Sequence, residues 1–232
     1  AFDTILGGAG IESYSLSRFD MRFDSFDPEH YRDYAKLNRY LISALAVTYN
    51  VQNCYDSRNL FSQKQLSVAI KNKRFECENY DKEAESSGRD PAYARLELRS
   101  KCLTSNDIEK QFHGWYIRLD KALKNLDKVH QRYNDELEKI YKEEKDAFPV
   151  KFRSLTDFLI QYQNCIFCKA QMIDLLSRFD EVKNPETRAK NHKKRYGIEY
   201  FSKMDVEYAV AEIKRAAEKF FKGTEMNLFE KS

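Results

Sequence analysis

The chain has 232 residues, of which 42% are hydrophobic, 33% charged and 14% aromatic, with a formal net charge of +3. That length carries one large domain or two small ones with a sizeable core, and the mild charge does not by itself mark nucleic-acid binding. No apolar run approaches the length of about 18 residues that a membrane span needs, so no membrane partner is expected. The five cysteines, odd in number and irregularly spaced, are expected to be reduced thiols in a cytoplasm. The seven glycines and four prolines favour long helices over a many-turned β architecture.

The chain opens at Ala1, and a continuation upstream is expected. The first strand signal is Arg18–Asp24, where Phe19, Met21 and Phe23 alternate with Arg18, Asp20, Arg22 and Asp24. Successive strand side chains point to opposite faces, which sends the apolar set inward and the charged set outward. Asp27-Pro28-Glu29 reads as a helix start, continued by Tyr31, Tyr34, Leu37, Leu41 and Leu45. Residues 50–64 read as a loop.

Three strands follow. Leu66, Val68 and Ile70 alternate, then a polar turn at Asn72–Lys73 leads into Phe75–Asp81 and, after a loop, Tyr93–Ser100. This pattern puts Glu76, Glu78 and Tyr80 on one face against Phe75, Cys77 and Asn79, and Arg95, Glu97 and Arg99 against Leu96 and Leu98. One face of the sheet can therefore gather Tyr80, Lys82, Glu97 and flanking arginines, and a phenol, a carboxylate and several cations on one strand face are costly unless that face meets water or a ligand. On pattern alone, the alternative is an amphipathic antiparallel sheet with a solvated charged side, a common arrangement.

Thr104 or Ser105 caps a long helix whose stripe runs from Ile108 through Trp115, Leu123 and Leu137 to Ile140, with Gly114 a point of interruption. Pro149 marks a boundary. A capping box at Ser154–Asp157 opens a helix expected to continue through Cys165 and Cys168 to Phe179. The CxxC pair lacks a second ligand pair and reads as core packing. Asn184-Pro185-Glu186 starts a short helix carrying Arg188, Lys190, Lys193, Lys194 and Arg195, which reads as a phosphate-contacting element or as a solvated face. Ser202–Asp205 caps a last helix. The expected organisation is a sheet-based core at 1–104, a long amphipathic helix at 105–148 and a helical DNA-positioning region at 149–232, an α+β fold with an antiparallel sheet and packed helices.

There is no glycine-rich phosphate loop, no HExxH and no GxSxG. The segments LSRFDMRFD, KNKRFECENYDKE and ARLELRSK, in that order, resemble motifs of the replication-initiation-factor family, the Rep_trans-type rolling-circle plasmid initiators and their related conjugative relaxases. The resemblance spans roughly residues 14–140. It implies a nicking-endonuclease core and site-specific single-strand DNA cleavage and strand transfer through a 5′-phosphotyrosine. Tyr80 would be the nucleophile and Lys82 its charge-stabilising neighbour. Asp20, Asp24 and Glu97 would hold Mg²⁺ or Mn²⁺, and Arg95 and Arg99 would bind flanking phosphates. The implied partners are a single-stranded or extruded origin with its flanking duplex, a second copy of the chain and a host helicase. A non-catalytic helical DNA-binding or scaffold protein is the alternative from another class.

Overall fold

The structure is a computed structural model, and it describes residues 17–25, 29–51, 67–81, 93–101, 103, 107–145 and 152–229. Four strands, β1 (Arg18–Ser25), β2 (Val68–Lys71), β3 (Phe75–Asp81) and β4 (Ala94–Lys101), form one antiparallel sheet in the order β1-β4-β3-β2. The β2–β3 hairpin is closed by Asn72. Its side-chain carbonyl accepts from the Arg74 and Phe75 amides at 2.8 and 2.9 Å, an Asx turn that fixes the register.

Seven α-helices accompany the sheet among the described residues: α1 (Tyr31–Thr48), α2 (Ile108–Leu123), α3 (Leu126–Lys145), α4 (Leu155–Gln161), α5 (Lys169–Ser177), α6 (Pro185–Tyr196) and α7 (Lys203–Phe229). A 3₁₀ turn, Gln163–Cys165, lies between α4 and α5. The α+β class and the antiparallel sheet agree with the sequence reading. None of the described helices is long and apolar enough to cross a membrane.

Helices α1 and α2 cover the apolar face of the sheet. The buried amide of Asn79 donates to the Ala35 carbonyl of α1 at 3.2 Å and accepts from Asn38 at 3.1 Å. A buried polar group needs such partners. From α2, the Trp115 indole donates to Ser100 Oγ at 3.0 Å, and Phe112 meets Phe19 edge-on with ring centroids 5.1 Å apart. On the far side of α1, Ser43 bonds the Tyr133 hydroxyl of α3 at 2.6 Å. Asn134 then ties α3 to the Gln171 carbonyl of α5 at 3.0 Å. One hydrophobic cluster extends in this way from Met21 of β1 to Ala217 of α7, so sheet, middle helices and C-terminal helices share a core.

Several helix boundaries differ from the sequence reading. The long helix is two helices, and the break falls at Lys124–Asn125 instead of Gly114. Asn125 turns its amide onto Thr48 Oγ1 of α1 at 3.1 Å, so a tertiary bond accompanies the break. The cap of α2 is Asp107, which accepts from the Lys110 amide; Thr104 and Ser105 lie outside the described residues. Helix α1 begins at Tyr31 after His30, and Asp27 and Pro28 also lie outside them. The helix expected over Cys165 and Cys168 is interrupted: Cys165 ends the 3₁₀ turn, and Cys168 caps α5 by accepting from the Gln171 amide at 3.3 Å. Ser154, Asn184 with Pro185, and Ser202 with Asp205 cap their helices as read.

Candidate active site

The polar face of the sheet follows from register. Antiparallel pairing sets Asp20 opposite Arg99, Arg22 opposite Glu97 and Asp24 opposite Arg95, and on the other side of β4 it sets Glu76 opposite Arg99, Glu78 opposite Glu97 and Tyr80 opposite Arg95. Side chains directly opposite on one face lie close enough to interact.

Arg99 is the centre of this face. Its Nη1 donates to Glu76 at 2.7 Å and Glu78 at 3.0 Å, and its Nη2 donates to the Tyr80 hydroxyl and to Glu97, each at 2.8 Å. Asp20 stands 4.0 Å from its Nε. The guanidinium fork is rigid, fully charged and five-donor, which suits it to hold several acceptors in one plane. Its side chain is only 14% exposed, and those of Glu76 and Glu97 are 6% and 4% exposed. These charges are therefore screened weakly by solvent.

The Tyr80 hydroxyl donates to Glu78. Burial and this bond push the phenol above its ordinary value, with Arg99 acting in the opposite sense. Burial also raises the Glu78 carboxyl, against the pull of Tyr80 and Arg99. Burial would raise Glu76 as well, but Lys101 and Arg99 outweigh it and hold that carboxyl below its usual range. The result is a protonated phenol whose proton points at a carboxylate and whose oxygen also receives a guanidinium bond.

The sequence-derived site residues Tyr80, Arg99 and Glu97 are brought together here. Lys82 lies outside the described residues. Arg95 belongs to the same face but is engaged with Asp24 through two bonds of 2.7 and 2.8 Å. Glu76, Glu78 and Lys101 were not among the site residues read from the sequence, although alternation puts Glu76 and Glu78 on the face of Tyr80 and Lys101 lies two residues beyond Arg99.

Asp20, Asp24 and Glu97 do not form an ion cluster. Asp20 and Asp24 are four residues apart on one strand, about 13 Å along the backbone, too far for two short carboxylates to share one ion. Each acid is also committed to arginine: Asp20 to Arg18 at 2.7 Å, Asp24 to Arg95, and Glu97 to Arg22 at 3.1 Å and to Arg99. No group of three or more metal-ligating side chains occurs among the described residues. The three residues, so arranged, do not fit a divalent metal.

The basic residues of the C-terminal region lie along α6. Lys190, Lys194 and Arg195 are exposed, Lys193 pairs with Glu199 at 3.3 Å, and Arg188 donates to Thr156 Oγ1 of α4 at 3.3 Å. The CxxC cysteines have separate surroundings. Cys165 is buried and accepts from Arg39 at 3.6 Å, while the Cys168 sulfur lies 3.5 Å from His130 Nε2.

No protein-family model, no curated protein and no solved structure matches this chain.

Proposed function

We propose that the chain is a site-specific tyrosine DNA nickase and strand transferase of the rolling-circle initiator type. The observation that supports this reading is the Tyr80 hydroxyl held between a proton acceptor, Glu78, and a cation, Arg99. A phenol is a weak nucleophile until it loses its proton or its developing charge is stabilised. Here one neighbour is suited to each task.

In the proposed step, the Tyr80 oxygen attacks the phosphorus of a single-stranded phosphodiester while its proton passes to Glu78. The bond from phosphorus to the 3′-oxygen breaks, and that oxygen takes a proton from water. The products are a 5′-phosphotyrosyl DNA end and a free 3′-hydroxyl, which suits priming of replication. Attack of a 3′-hydroxyl on the phosphotyrosine reverses the chemistry and joins strands. Arg99 stabilises phenolate character at the start and negative charge on the phosphoryl oxygens later. Magnesium or manganese enters no step, because the three implied ligands do not converge.

Plasmid initiation and conjugative transfer use this same cleavage. A non-catalytic role is favoured by a different observation, the pairing of Asp20, Asp24 and Glu97 with arginines, which suits a structural charge lattice. Tyr80→Phe separates the two classes. With a pool of single-stranded oligonucleotides, the native chain should give a covalent protein–DNA adduct on a denaturing gel, and Tyr80→Phe should give none while still binding DNA. An adduct that persists in the variant, or none from the native chain, overturns the nickase assignment.

A further inference from the structure

Beneath the basic face of α6 lies a cavity of about 350 Å³, lined by Thr156, Thr187, Arg188, Asn191, His192 and Arg195 among others. No carboxylate lines it. Its walls present two guanidinium groups, hydroxyls and the amides of Asn184 and Asn191, a donor-rich surface without a competing acid. Arg188 is oriented by its bond to Thr156 Oγ1, which leaves further donors of its fork free to take a ligand.

His192 adds an independent indication. The residue is only 3% exposed, and neither ring nitrogen has a hydrogen-bond partner of normal geometry; burial holds the imidazole below its ordinary value, with the Thr156 backbone acting in the opposite sense and the Arg188 cation adding to the burial. A buried polar side chain without a partner is costly. Set in the wall of a cationic cavity, it is suited to donate to an anion placed there.

We propose that this cavity between α4 and α6 is a seat for one phosphate group, supplied by the backbone of duplex DNA. The choice of DNA as the source rests on the nickase reading; the phosphate chemistry itself does not. Phosphate oxygens are strong acceptors that arginine forks engage in pairs. One seated phosphate fixes register on a duplex without reading its sequence, the role expected of an element that positions DNA.

The test uses two charge-matched double variants. Asn191→Asp with Arg195→Gln changes the cavity wall, while Lys190→Gln with Lys194→Gln removes the same net charge from residues that do not line it. Asn191 and Arg195 are exposed, so folding should survive, and a thermal melt checks it. Calorimetric titration with inorganic phosphate should show binding to the native chain and to the lysine variant and none to the cavity variant. In duplex binding followed by fluorescence anisotropy, added phosphate should weaken the native complex more than chloride of equal ionic strength, an effect the cavity variant should lose. The cavity variant's salt slope should also fall by about 1, the share of one phosphate contact. Equal phosphate binding by both variants, or none by the native chain, overturns the seat. Phosphate that binds without competing against duplex overturns DNA as the source and points to a small phosphorylated ligand. Competition that behaves as expected in a chain that fails to nick removes the nickase reading alone.

Discussion

The Arg99 guanidinium donates to the hydroxyl of Tyr80 at 2.8 Å, so the phenol oxygen carries a cation contact while its own proton is directed to Glu78. A positioned base typically contributes about 10²–10⁴-fold to a proton transfer. Glu78→Gln should slow single-turnover nicking at neutral pH by that order. Its residual rate should climb with alkaline pH, because direct ionisation of a phenol held above its ordinary value must replace the missing acceptor. A variant with the native rate and native pH profile removes Glu78 from the chemistry.

Arg99 also bears on stability. Taking it away leaves Glu76, Glu78 and Glu97 facing one another with one cation fewer. Breaking a buried ion pair from one side costs about 3–5 kcal/mol. Arg99→Met should therefore lower unfolding free energy by that order in urea denaturation. Arg99→Lys should recover only part, since an ammonium lacks the fork that reaches four acceptors. A loss well under 1 kcal/mol for Arg99→Met would mean that the acids neutralise or reach water.

The pH dependence of stability has a specific source in Lys36. Burial lowers it from 10.5 to about 8, with Cys165, Asp33 and Glu199 favouring its charge and Arg39 opposing it. Its Nζ donates to the Glu199 carbonyl at 2.7 Å. Below pH 8 the lysine is charged in both folded and unfolded chains, and the folded state bears the full desolvation cost. Between about 8 and 10.5 the unfolded chain binds more protons, so this residue's contribution to stability rises with pH, by roughly 3 kcal/mol at the limit. Lys36→Met should remove that rise. Denaturation of both proteins at pH 7.5 and 10 should show the native chain gaining on the variant; a constant difference would mean that Lys36 is solvated.

The carboxylate arrangement bears on metals in the free protein. With Asp20, Asp24 and Glu97 held by arginines, millimolar magnesium should leave the melting temperature of the DNA-free chain unchanged, and calorimetry should detect no magnesium site. A clear upward shift would show that the acids leave their arginines to bind the ion.

Much of this site was legible from alternation. Arg18–Asp24, Phe75–Asp81 and Arg95–Arg99 read as strands with defined faces, and their pairing put Tyr80, Glu97 and Arg99 together. Glu78 carried the same signal, two residues before Tyr80 on its own face. The pairing of Asp24 with Arg95 and of Glu97 with Arg22 was not legible, because cross-strand register decides which arginine meets which acid, whereas Asp20 meets Arg18 two residues away on its own strand. The break between α2 and α3 was hidden because Leu123 and Leu126 keep the three-residue spacing across it. The interruption between α4 and α5 was hidden because Tyr162–Cys168 contains neither Gly nor Pro. The cavity under α6 depends on where α4 packs, and a helical stripe carries no record of its neighbour.

The chain has one tryptophan. Trp115 is fully buried at the seam between α2 and the sheet, bonded to Ser100, with the Arg118 guanidinium 5.2 Å from its ring centroid. Its fluorescence is therefore a local optical probe of that seam, whereas far-ultraviolet circular dichroism is weighted toward the helices along the whole chain. Comparing the two signals through a single melt measures the cooperativity of the fold. A shared core running from Met21 to Ala217 makes both curves superimpose, with emission shifting to longer wavelength over the same few degrees in which helicity is lost.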